Sequence, residues 1–421
     1  MTPTHRLALR NSAATVLAKG IPAGVRIGFL LWYAKQNGPQ AFGRIALCLA
    51  IVEVLRVLTD FGTENLFIRS LARAESPHTR TDLLARFGTF RLVAIVLGLL
   101  CYFIAAVAFL PSPLAAPDLL ASLLLVTSTG MGYAFTFYQA QLNMERAAQI
   151  VLSTAVVGVS ILIFAAPGNE TAQLSFLIAV EATTAAWLVH DVTRRTGIRW
   201  RDAWRFTSSL DMRAVAQESA PLAGVTLLVA AYTRLDVLMI GPLAGSLALG
   251  LYSFAYRVSE PFRFLASGVE ATLYSYLSVR TDISGSITRM QRLLLLVGSY
   301  AFALGTLAGL TGWLFVHFGY IEYRDVLPTL AILSAALMFR CVNGFLVALL
   351  YARAQYTSVL RIAMCNAALM AVLIYPCISL LGIAGAALAL LAVEILNCLL
   401  QTRLAFARAA DSCLSRITTT T

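Results

Sequence analysis

Basic side chains occur inside segments of this chain that are otherwise apolar. Lys19 and Arg26 are seven residues apart, two turns along one helix face, and no acidic residue lies within a turn of either on that segment. Such cations need a partner from elsewhere in the protein or from a ligand. Because the guanidinium fork of arginine matches phosphate oxygens, we interpret both residues as ligands for an anion.

Charged pairs at i,i+3 spacing occur in two further apolar segments. Glu53 precedes Arg56 in one and Glu260 precedes Arg263 in the other, so each pair either neutralises itself or turns a charge toward a ligand. Charges at mid-bilayer depth usually face a protein interior or a wet cavity. The remaining charges in such segments are Glu181, Arg234, Asp236, Arg257, Glu270, Arg340 and Glu394.

Residues for metal binding or covalent catalysis are not grouped. The four histidines and seven cysteines are scattered, without a CxxC pair or a Cys/His cluster. We therefore expect no metal site, no cofactor beyond a coupling ion, and no enzymatic activity.

The composition shows which elements must position these charges. The 421 residues are 59% hydrophobic and 13% charged, with a mean hydropathy of +0.77, which excludes a soluble domain. At roughly 20 apolar residues per crossing, the chain has room for about twelve spans and for loop-sized connections only. The predicted spans are 12–33, 41–66, 90–110, 118–138, 148–167, 172–191, 216–241, 246–277, 292–317, 326–350, 358–378 and 381–404.

The basic residues lie mostly in alternate connections. Lys35 and Arg324 are the basic residues of the predicted outer connections, whereas the other connections hold many arginines, so we expect both termini in the cytoplasm. This distribution accounts for the excess of 32 Lys and Arg over 21 Asp and Glu without a nucleic-acid partner. The predicted domains are an N-terminal lobe 1–191, a basic cytoplasmic linker 192–215, a C-terminal lobe 216–408 and a cytoplasmic tail 409–421.

The two halves resemble each other. Ala41-Phe-Gly43 is matched by Ala248-Leu-Gly250, and Glu53 and Arg56 are matched by Glu260 and Arg263, all at an offset of 207 residues. A parallel repeat of six spans predicts two lobes related by a pseudo-twofold axis along the membrane normal. The expected fold class is therefore an all-α, polytopic membrane protein of two six-helix lobes.

Helix-breaking residues occur in the first span of each half. Gly20, Pro22 and Gly24 lie within span one, and Pro221 and Gly224 lie in span seven. Loss of a backbone donor at proline predicts a bend or a break. This feature is either a static kink or a hinge.

Short motifs follow one another in a characteristic order in both halves. They are Ala41-Phe-Gly43, Asp60-Phe-Gly62, Arg69-Ser-Leu-Ala72, Asp236-Val-Leu-Met-Ile-Gly241, Gly250-Leu-Tyr-Ser-Phe-Ala255 and Gly382-Ile-Ala-Gly385. Over nearly the whole chain this order resembles the polysaccharide transporter family, the Wzx-type oligosaccharide flippases of the multidrug/oligosaccharidyl-lipid/polysaccharide (MOP) superfamily. The resemblance implies a cationic cavity that opens alternately to the cytoplasm and to the outside.

The resemblance also implies a substrate and its ligands. Similar proteins translocate undecaprenyl-pyrophosphate-linked oligosaccharides, and basic residues on spans one, two and eight of related lipid II flippases hold the pyrophosphate. Arg26, Arg56 and Arg257 occupy comparable places here, with Lys19 as an auxiliary and Arg263 as a further member of the set.

The coupling ion is either sodium or a proton. Some relatives bind sodium through carboxylates and an asparagine in the C-terminal lobe, and Asp236 and Asn366 match part of that pattern. The second carboxylate is replaced by Met370, so proton coupling through Asp236, Glu394 or Glu181 is the competing interpretation.

Our expectation is thus a monomeric flippase of the bacterial cytoplasmic membrane. Its partners would be the lipid-linked oligosaccharide, membrane lipids and the polysaccharide polymerase and assembly proteins. The alternatives are an ion-coupled multidrug exporter of the same superfamily and, with lower expectation, a polysaccharide polymerase or ligase. The predicted outer connections are too short for the catalytic loop of such an enzyme.

Overall fold

Helices make up the protein in every range that the computed structural model describes: residues 3–74, 76–110, 114–164, 168–197, 209–279, 287–353 and 355–418. In chain order they are α1 (Pro3–Asp60), α2 (Thr63–Arg73), α3 (Pro77–Phe109), α4 (Ala116–Ala121), α5 (Leu123–Ala140), α6 (Met144–Phe164), α7 (Glu170–Thr196), α8 (Ser209–Val279), α9 (Ile287–Phe318), a 3-10 turn (Ile321–Val326), α10 (Leu327–Ala352) and α11 (Tyr356–Thr418). The expected all-α class is confirmed.

Three of the long helices contain a glycine at which the backbone leaves the helical conformation. Gly38 interrupts α1, Gly245 interrupts α8, and Gly382 interrupts α11, each with a positive φ. These breaks divide the three helices into the predicted span pairs one and two, seven and eight, and eleven and twelve. With α3, α4–α5, α6, α7, α9 and α10, the described helices account for all twelve predicted spans.

The outer surfaces of these helices are suited to lipid. Eight described helical segments are long and apolar enough to cross a membrane, and two of them, Thr226–Glu270 and Thr357–Phe406, contain the breaks at Gly245 and Gly382. Val107 and Leu380 are 72% and 81% exposed, as residues that face hydrocarbon would be. The multi-pass membrane character of the chain follows from these helices.

The described helices form two compact units. The first consists of residues 1–33 and 44–230, and the second of residues 34–43 and 231–421. Their boundary at 230/231 falls inside α8. The proposed linker 192–215 remains a prediction, because residues 198–208 lie outside the described ranges.

Within the second unit, two repeat-related glycines pack backbone to backbone. A Cβ atom built on Gly43 would lie 1.8 Å from the carbonyl oxygen of Ser246, and one built on Gly250 would lie 1.7 Å from that of Pro39. A side chain at either position would overlap these atoms, so the match between Ala41-Phe-Gly43 and Ala248-Leu-Gly250 reflects a close helix crossing.

The expected break near Pro22 is not present. Within α1 the non-helical residue is Gly38, so the backbone stays helical through Gly20, Pro22 and Gly24. Similarly, the non-helical residue of α8 is Gly245, which lies beyond Pro221 and Gly224. Proline removes one donor, and the flanking helical hydrogen bonds persist in an apolar environment. A bend or a hinge at these five residues stays a prediction.

Candidate functional site

Arg26 and Glu181 form a closed ion pair inside the first unit. Nε and Nη2 of Arg26 each donate to one oxygen of Glu181, both at 2.7 Å. The hydroxyl of Thr127 donates to the same carboxylate at 3.3 Å. This bidentate geometry joins α1, α5 and α7. Of the two sources of a partner that the sequence left open, the structure shows one within the protein, and it is Glu181, a predicted coupling residue.

Lys19 also has a protein partner. Its Nζ atom donates to Oε1 of Glu64 at 2.9 Å, which links α1 to the short helix α2. Sequence inspection could not identify this pair, because the acid is 45 residues away on another helix. Lys19 is therefore a weaker candidate for pyrophosphate binding than we expected.

Arg257 pairs with Glu260, which lies midway between Arg257 and Arg263 in the sequence. Nη1 of Arg257 donates to Oε2 of Glu260 at 2.6 Å, and both side chains are at least nine-tenths buried. Because Glu260 lies three residues from both arginines, spacing alone does not decide which of them it binds. Of the two alternatives for Glu260 and Arg263, the self-neutralising pair is therefore not the one that the structure shows.

Two of the five predicted pyrophosphate ligands are exposed and make no side-chain hydrogen bond or ion pair with another described residue. They are Arg56 in the first unit and Arg263 in the second. The two residues are repeat mates, 207 positions apart. Because charged residues in membrane segments usually face the protein interior or a water-filled cavity, both guanidinium groups are candidates for binding a ligand.

A small, partly open cavity in the second unit contains Arg263 in its wall. The polar and charged residues that line it are Tyr256, Ser259, Glu260, Arg263, Arg340 and Glu394, and leucine and alanine side chains of α10 and α11 complete it. The cavity thus combines two guanidinium groups, two carboxylates and a phenol inside an apolar bundle. This combination is typical of a polar ligand site.

Tyr256 organises the arginines around this cavity. Nη1 of Arg340 donates to the hydroxyl of Tyr256 at 3.3 Å. The guanidinium carbon of Arg234 lies 4.7 Å from the centre of the Tyr256 ring, which is cation–π distance. One aromatic side chain therefore holds cations from two helices, α8 and α10.

Glu394 ends the triplet Ala392-Val-Glu394, which repeats Ala179-Val-Glu181 of the first half, yet its carboxylate is held differently from that of Glu181. Its Oε1 atom lies 3.7 Å from Nε of Arg340, and its Oε2 atom accepts a hydrogen bond from Nδ2 of Asn343 at 2.7 Å. The carboxylate is thus fixed mainly by an amide, and its ion pair is near the outer limit for a direct interaction.

The cation and a threonine exchange places between the two repeats. Arg26 lies 12 residues before the break at Gly38, and Thr233 lies 12 residues before the break at Gly245. Thr127 precedes Glu181 by 54 residues, and Arg340 precedes Glu394 by the same 54. The glutamate is thus repeated, whereas its arginine comes from span one in the first unit and from span ten in the second.

The predicted sodium ligands are not joined by a hydrogen bond. Asp236 is fully buried and accepts from the hydroxyl of Tyr252 at 2.5 Å and from the amide of Val237 at 2.7 Å. Asn366 is buried, and its side-chain oxygen has no hydrogen-bond partner among the residues that the structure describes. Both oxygens of Asp236 therefore accept hydrogen bonds from residues of α8. A sodium site at Asp236 and Asn366 stays a prediction.

Arg340 and Tyr256 are the site residues that the sequence did not reveal. An arginine in the middle of an apolar span was the available signal for Arg340. Tyr256 carried none, because it is 84 residues from Arg340 and resembles the other aromatic residues of the spans.

Comparison with known proteins identifies the family. Residues 8–279 match the family model described as polysaccharide biosynthesis protein, which is more than half of the chain. No curated protein matched in a search of such sequences.

Solved structures share the fold at low sequence identity. An inward-facing multidrug resistance MATE family transporter of the MOP superfamily has a TM-score of 0.70 and 11% identity over 94% of this chain and 98% of its own. The lipid II flippase MurJ, in an inward closed conformation, has a TM-score of 0.69 and 12% identity over 92% of this chain and 86% of its own. A MOP superfamily transporter from Pyrococcus furiosus, whose structure is described by a reversed polarity of its binding pocket, has a TM-score of 0.62 and 12% identity over 96% of both chains.

These similar structures are of transporters and a flippase, not of enzymes, and their fold agrees with the two helical units described above. The chain belongs to the polysaccharide biosynthesis protein family and has the fold of the MOP superfamily.

Proposed function

We propose that the protein is a flippase for an undecaprenyl-pyrophosphate-linked oligosaccharide, the repeat unit of an O-antigen, capsule or exopolysaccharide. It acts by alternating access in the bacterial cytoplasmic membrane, with both termini in the cytoplasm. The observation that carries the proposal is the cavity in which exposed Arg263 and loosely paired Arg340 lie together. Family membership supports the glycan, and the cavity supports the charged group that links it to the lipid.

The pyrophosphate is the part of this substrate that the cavity suits. A pyrophosphate diester carries two negative charges and several acceptor oxygens, whereas Arg263 and Arg340 supply planar sets of donors. The cavity is too small for an oligosaccharide with its lipid, so the lipid stays in the bilayer. Arg56 of the first unit is the repeat mate of Arg263, and we propose it as a pyrophosphate ligand of that unit.

Transport against a gradient needs an energy source. We propose ion coupling, with protons and sodium as the two alternatives. Protons would act through Glu394, Asp236 or Glu181, and sodium would use Asp236 and Asn366. Glu394 is the strongest of these candidates, because it shares the cavity with both arginines.

The experiment that tests the function is a gene disruption in the native host. Extracted polyprenyl-linked glycans are assigned to a membrane leaflet by their access to an impermeant glycan-modifying enzyme. We expect an inward-facing lipid-linked oligosaccharide to accumulate and one surface polysaccharide to be lost. Normal export with no lipid intermediate, in a strain without a second such gene, would contradict the proposal.

Complementation then assigns the role of the cavity. The wild-type gene should restore export, and Arg263→Ala should not, at equal protein level in the membrane. Arg324→Ala is the matched control, because Arg324 is exposed in the 3-10 turn of the same unit and does not line the cavity. Restoration by Arg263→Ala would remove that residue from the substrate site.

A multidrug exporter is the second candidate, favoured by the similarity of fold to MATE family transporters. A cationic drug would be repelled by Arg263 and Arg340, so we rank it lower. Efflux of cationic dyes, lost on disruption while surface polysaccharide is unchanged, would reverse this order. The polysaccharide polymerase and assembly proteins would be partners of a flippase and not of a drug exporter.

A further inference from the structure

Arg340 contacts a carboxylate and a phenol with only part of its set of donors. Its Nε atom lies 3.7 Å from Oε1 of Glu394, and its Nη1 atom donates to the hydroxyl of Tyr256 at 3.3 Å. A guanidinium group has five N–H donors. These two contacts leave donors for a ligand in the cavity that all three side chains line.

The first unit contains an arginine–glutamate pair in which both carboxylate oxygens accept hydrogen bonds from the arginine. There Arg26 donates to Glu181 through two nitrogens, each at 2.7 Å. The 3.7 Å separation of Arg340 from Glu394 lacks that fork geometry. Since both carboxylates occupy equivalent repeat positions, the difference lies in how firmly each arginine is held.

The position of Glu394 does not depend on Arg340. Nδ2 of Asn343 donates to its Oε2 atom at 2.7 Å and also contacts its backbone carbonyl at 3.0 Å. The carboxylate can therefore lose the arginine and keep its place in the cavity wall. A neutral carboxylic acid would retain the acceptor that Asn343 uses.

We propose that Glu394 is an internal competitor of the substrate anion for Arg340, so that a proton on Glu394 and the pyrophosphate in the cavity bind cooperatively. With Glu394 ionised, Arg340 is partly neutralised and the incoming anion is repelled. With Glu394 protonated, Arg340 turns its full charge toward the anion, together with Arg263. This inference rests on the proposed function, whose site it regulates.

The other charged and titratable groups near Glu394 do not duplicate this arrangement. Glu260, the second carboxylate of the cavity, is committed to Arg257 at 2.6 Å. No described residue of α9 lines the cavity. Glu270 of α8 interacts electrostatically with Arg263 and Arg340 but does not line the cavity. The other groups that face Glu394, its cavity or its arginines are Tyr232, Arg234, Tyr256, Glu260 and Arg263 from α8, Arg340 and Cys341 from α10, and Cys398 from α11 itself.

Linkage fixes the sign of the pH dependence. If protonation of Glu394 raises the affinity for the anion, binding of the anion must raise the affinity for the proton by the same factor. Affinity for the pyrophosphate should therefore increase as the pH falls. Removal of one full charge at a few ångströms in a membrane interior changes binding by roughly tenfold or more.

The test measures binding of a defined probe to purified full-length protein in nanodiscs. The probe is a short-chain polyprenyl diphosphate ester of N-acetylglucosamine, a diester that lacks the second ionisation of a phosphate monoester. Its own charge is therefore constant over the pH range used. Wild type, Glu394→Gln, Arg340→Gln and the control Glu322→Gln are compared. Glu322 is an exposed residue of the second unit that does not line the cavity.

We expect wild type and Glu322→Gln to bind the probe roughly tenfold more tightly at low pH than at high pH. Glu394→Gln should bind tightly at both, without pH dependence, and Arg340→Gln should bind weakly at both. If Glu394→Gln keeps the pH dependence of wild type, the competition is overturned while the anion site stands. If the affinities of wild type and Arg340→Gln are equal, the anion site of the proposed function fails.

Should Glu394→Gln not yield folded protein, the wild-type profile decides. A flat profile across the range overturns the proposal. A rise in affinity at low pH that Glu394→Asp preserves supports it, because that variant keeps the titrating group.

Discussion

Gly38 and Gly245 lie 207 residues apart and adopt nearly the same non-helical backbone conformation, φ 75 and ψ 175 at the first and φ 83 and ψ 171 at the second. The offset equals that of the Gly43/Gly250 and Arg56/Arg263 matches. The duplication is therefore expressed in backbone geometry, at the point where each half turns from its first span into its second.

Alanine at Gly245 should destabilise the protein through its backbone alone. This combination of a positive φ with an extended ψ is essentially restricted to glycine, and no heavy atom lies within 4 Å of a Cβ built there. We expect a cost of about 1–3 kcal/mol, measured as a lower thermal midpoint in detergent. Gly298→Ala is the control, since Gly298 is helical with equally open surroundings and alanine should be neutral or slightly stabilising there. Equal midpoints for the two variants would mean that the break is not required.

The Arg26–Glu181 pair should behave as a structural unit. Removal of one partner leaves a mostly buried charge without its ion-pair partner, so Arg26→Ala and Glu181→Ala should each cost about 3–5 kcal/mol. The double variant should cost clearly less than the sum of the two, which a double-mutant cycle of unfolding free energies measures. Additive losses would separate the residues and restore Arg26 as a candidate ligand for the substrate. Normal export by Arg26→Ala at wild-type protein level would exclude it from substrate binding altogether.

Arg56 should matter for transport and not for stability. It is exposed and makes no side-chain hydrogen bond or ion pair with a described residue, so Arg56→Ala should change the unfolding free energy by less than about 0.5 kcal/mol. Loss of a charged contact to the pyrophosphate should lower export roughly tenfold, by analogy with hydrogen bonds to charged groups. The comparison uses Arg69→Ala, an exposed arginine of α2. A loss of export that both variants share would point to general effects of surface charge.

The orientation of the chain is open to direct measurement. In a variant without the native cysteines, Lys35→Cys should react with a membrane-impermeant maleimide added to spheroplasts, because Lys35 is exposed and lies in a predicted outer connection. Arg195→Cys, in the last turn of α7 and in a predicted cytoplasmic connection, should react only after permeabilisation. The reverse pattern would invert the topology and place the basic connections outside.

The number of spans was predictable because length and apolarity alone set it, and the breaks near Gly38 and Gly245 fall where the predicted spans are separated. The partners of the buried cations were not. Arg26 meets Glu181 across 155 residues, and such a contact depends on how helices pack rather than on local spacing. Where spacing did suggest a pair, as for Glu260 and Arg263, a second arginine at the same spacing was the actual partner.

The sequence therefore predicted only part of the candidate site. Arg263 was predictable as a charge in an apolar span, and the repeat drew attention to Arg56. Arg340 gained its significance from Tyr256 and Glu394, which are brought to it by the fold. Conversely, Pro22 predicted a break in the helix, yet the backbone of α1 is helical at this residue.

The exchange of arginine and threonine between the repeats has a practical consequence for protein engineering. Arg26 and Thr127 of the first unit correspond to Thr233 and Arg340 of the second, so each glutamate has one arginine available and the net charge of the two sites is equal. Arg26→Thr combined with Thr127→Arg would rebuild the first site in the pattern of the second without adding a charge to the bilayer. The second site thus shows which two substitutions would replace the bidentate Arg26–Glu181 pair of the first unit by a looser arginine–glutamate contact.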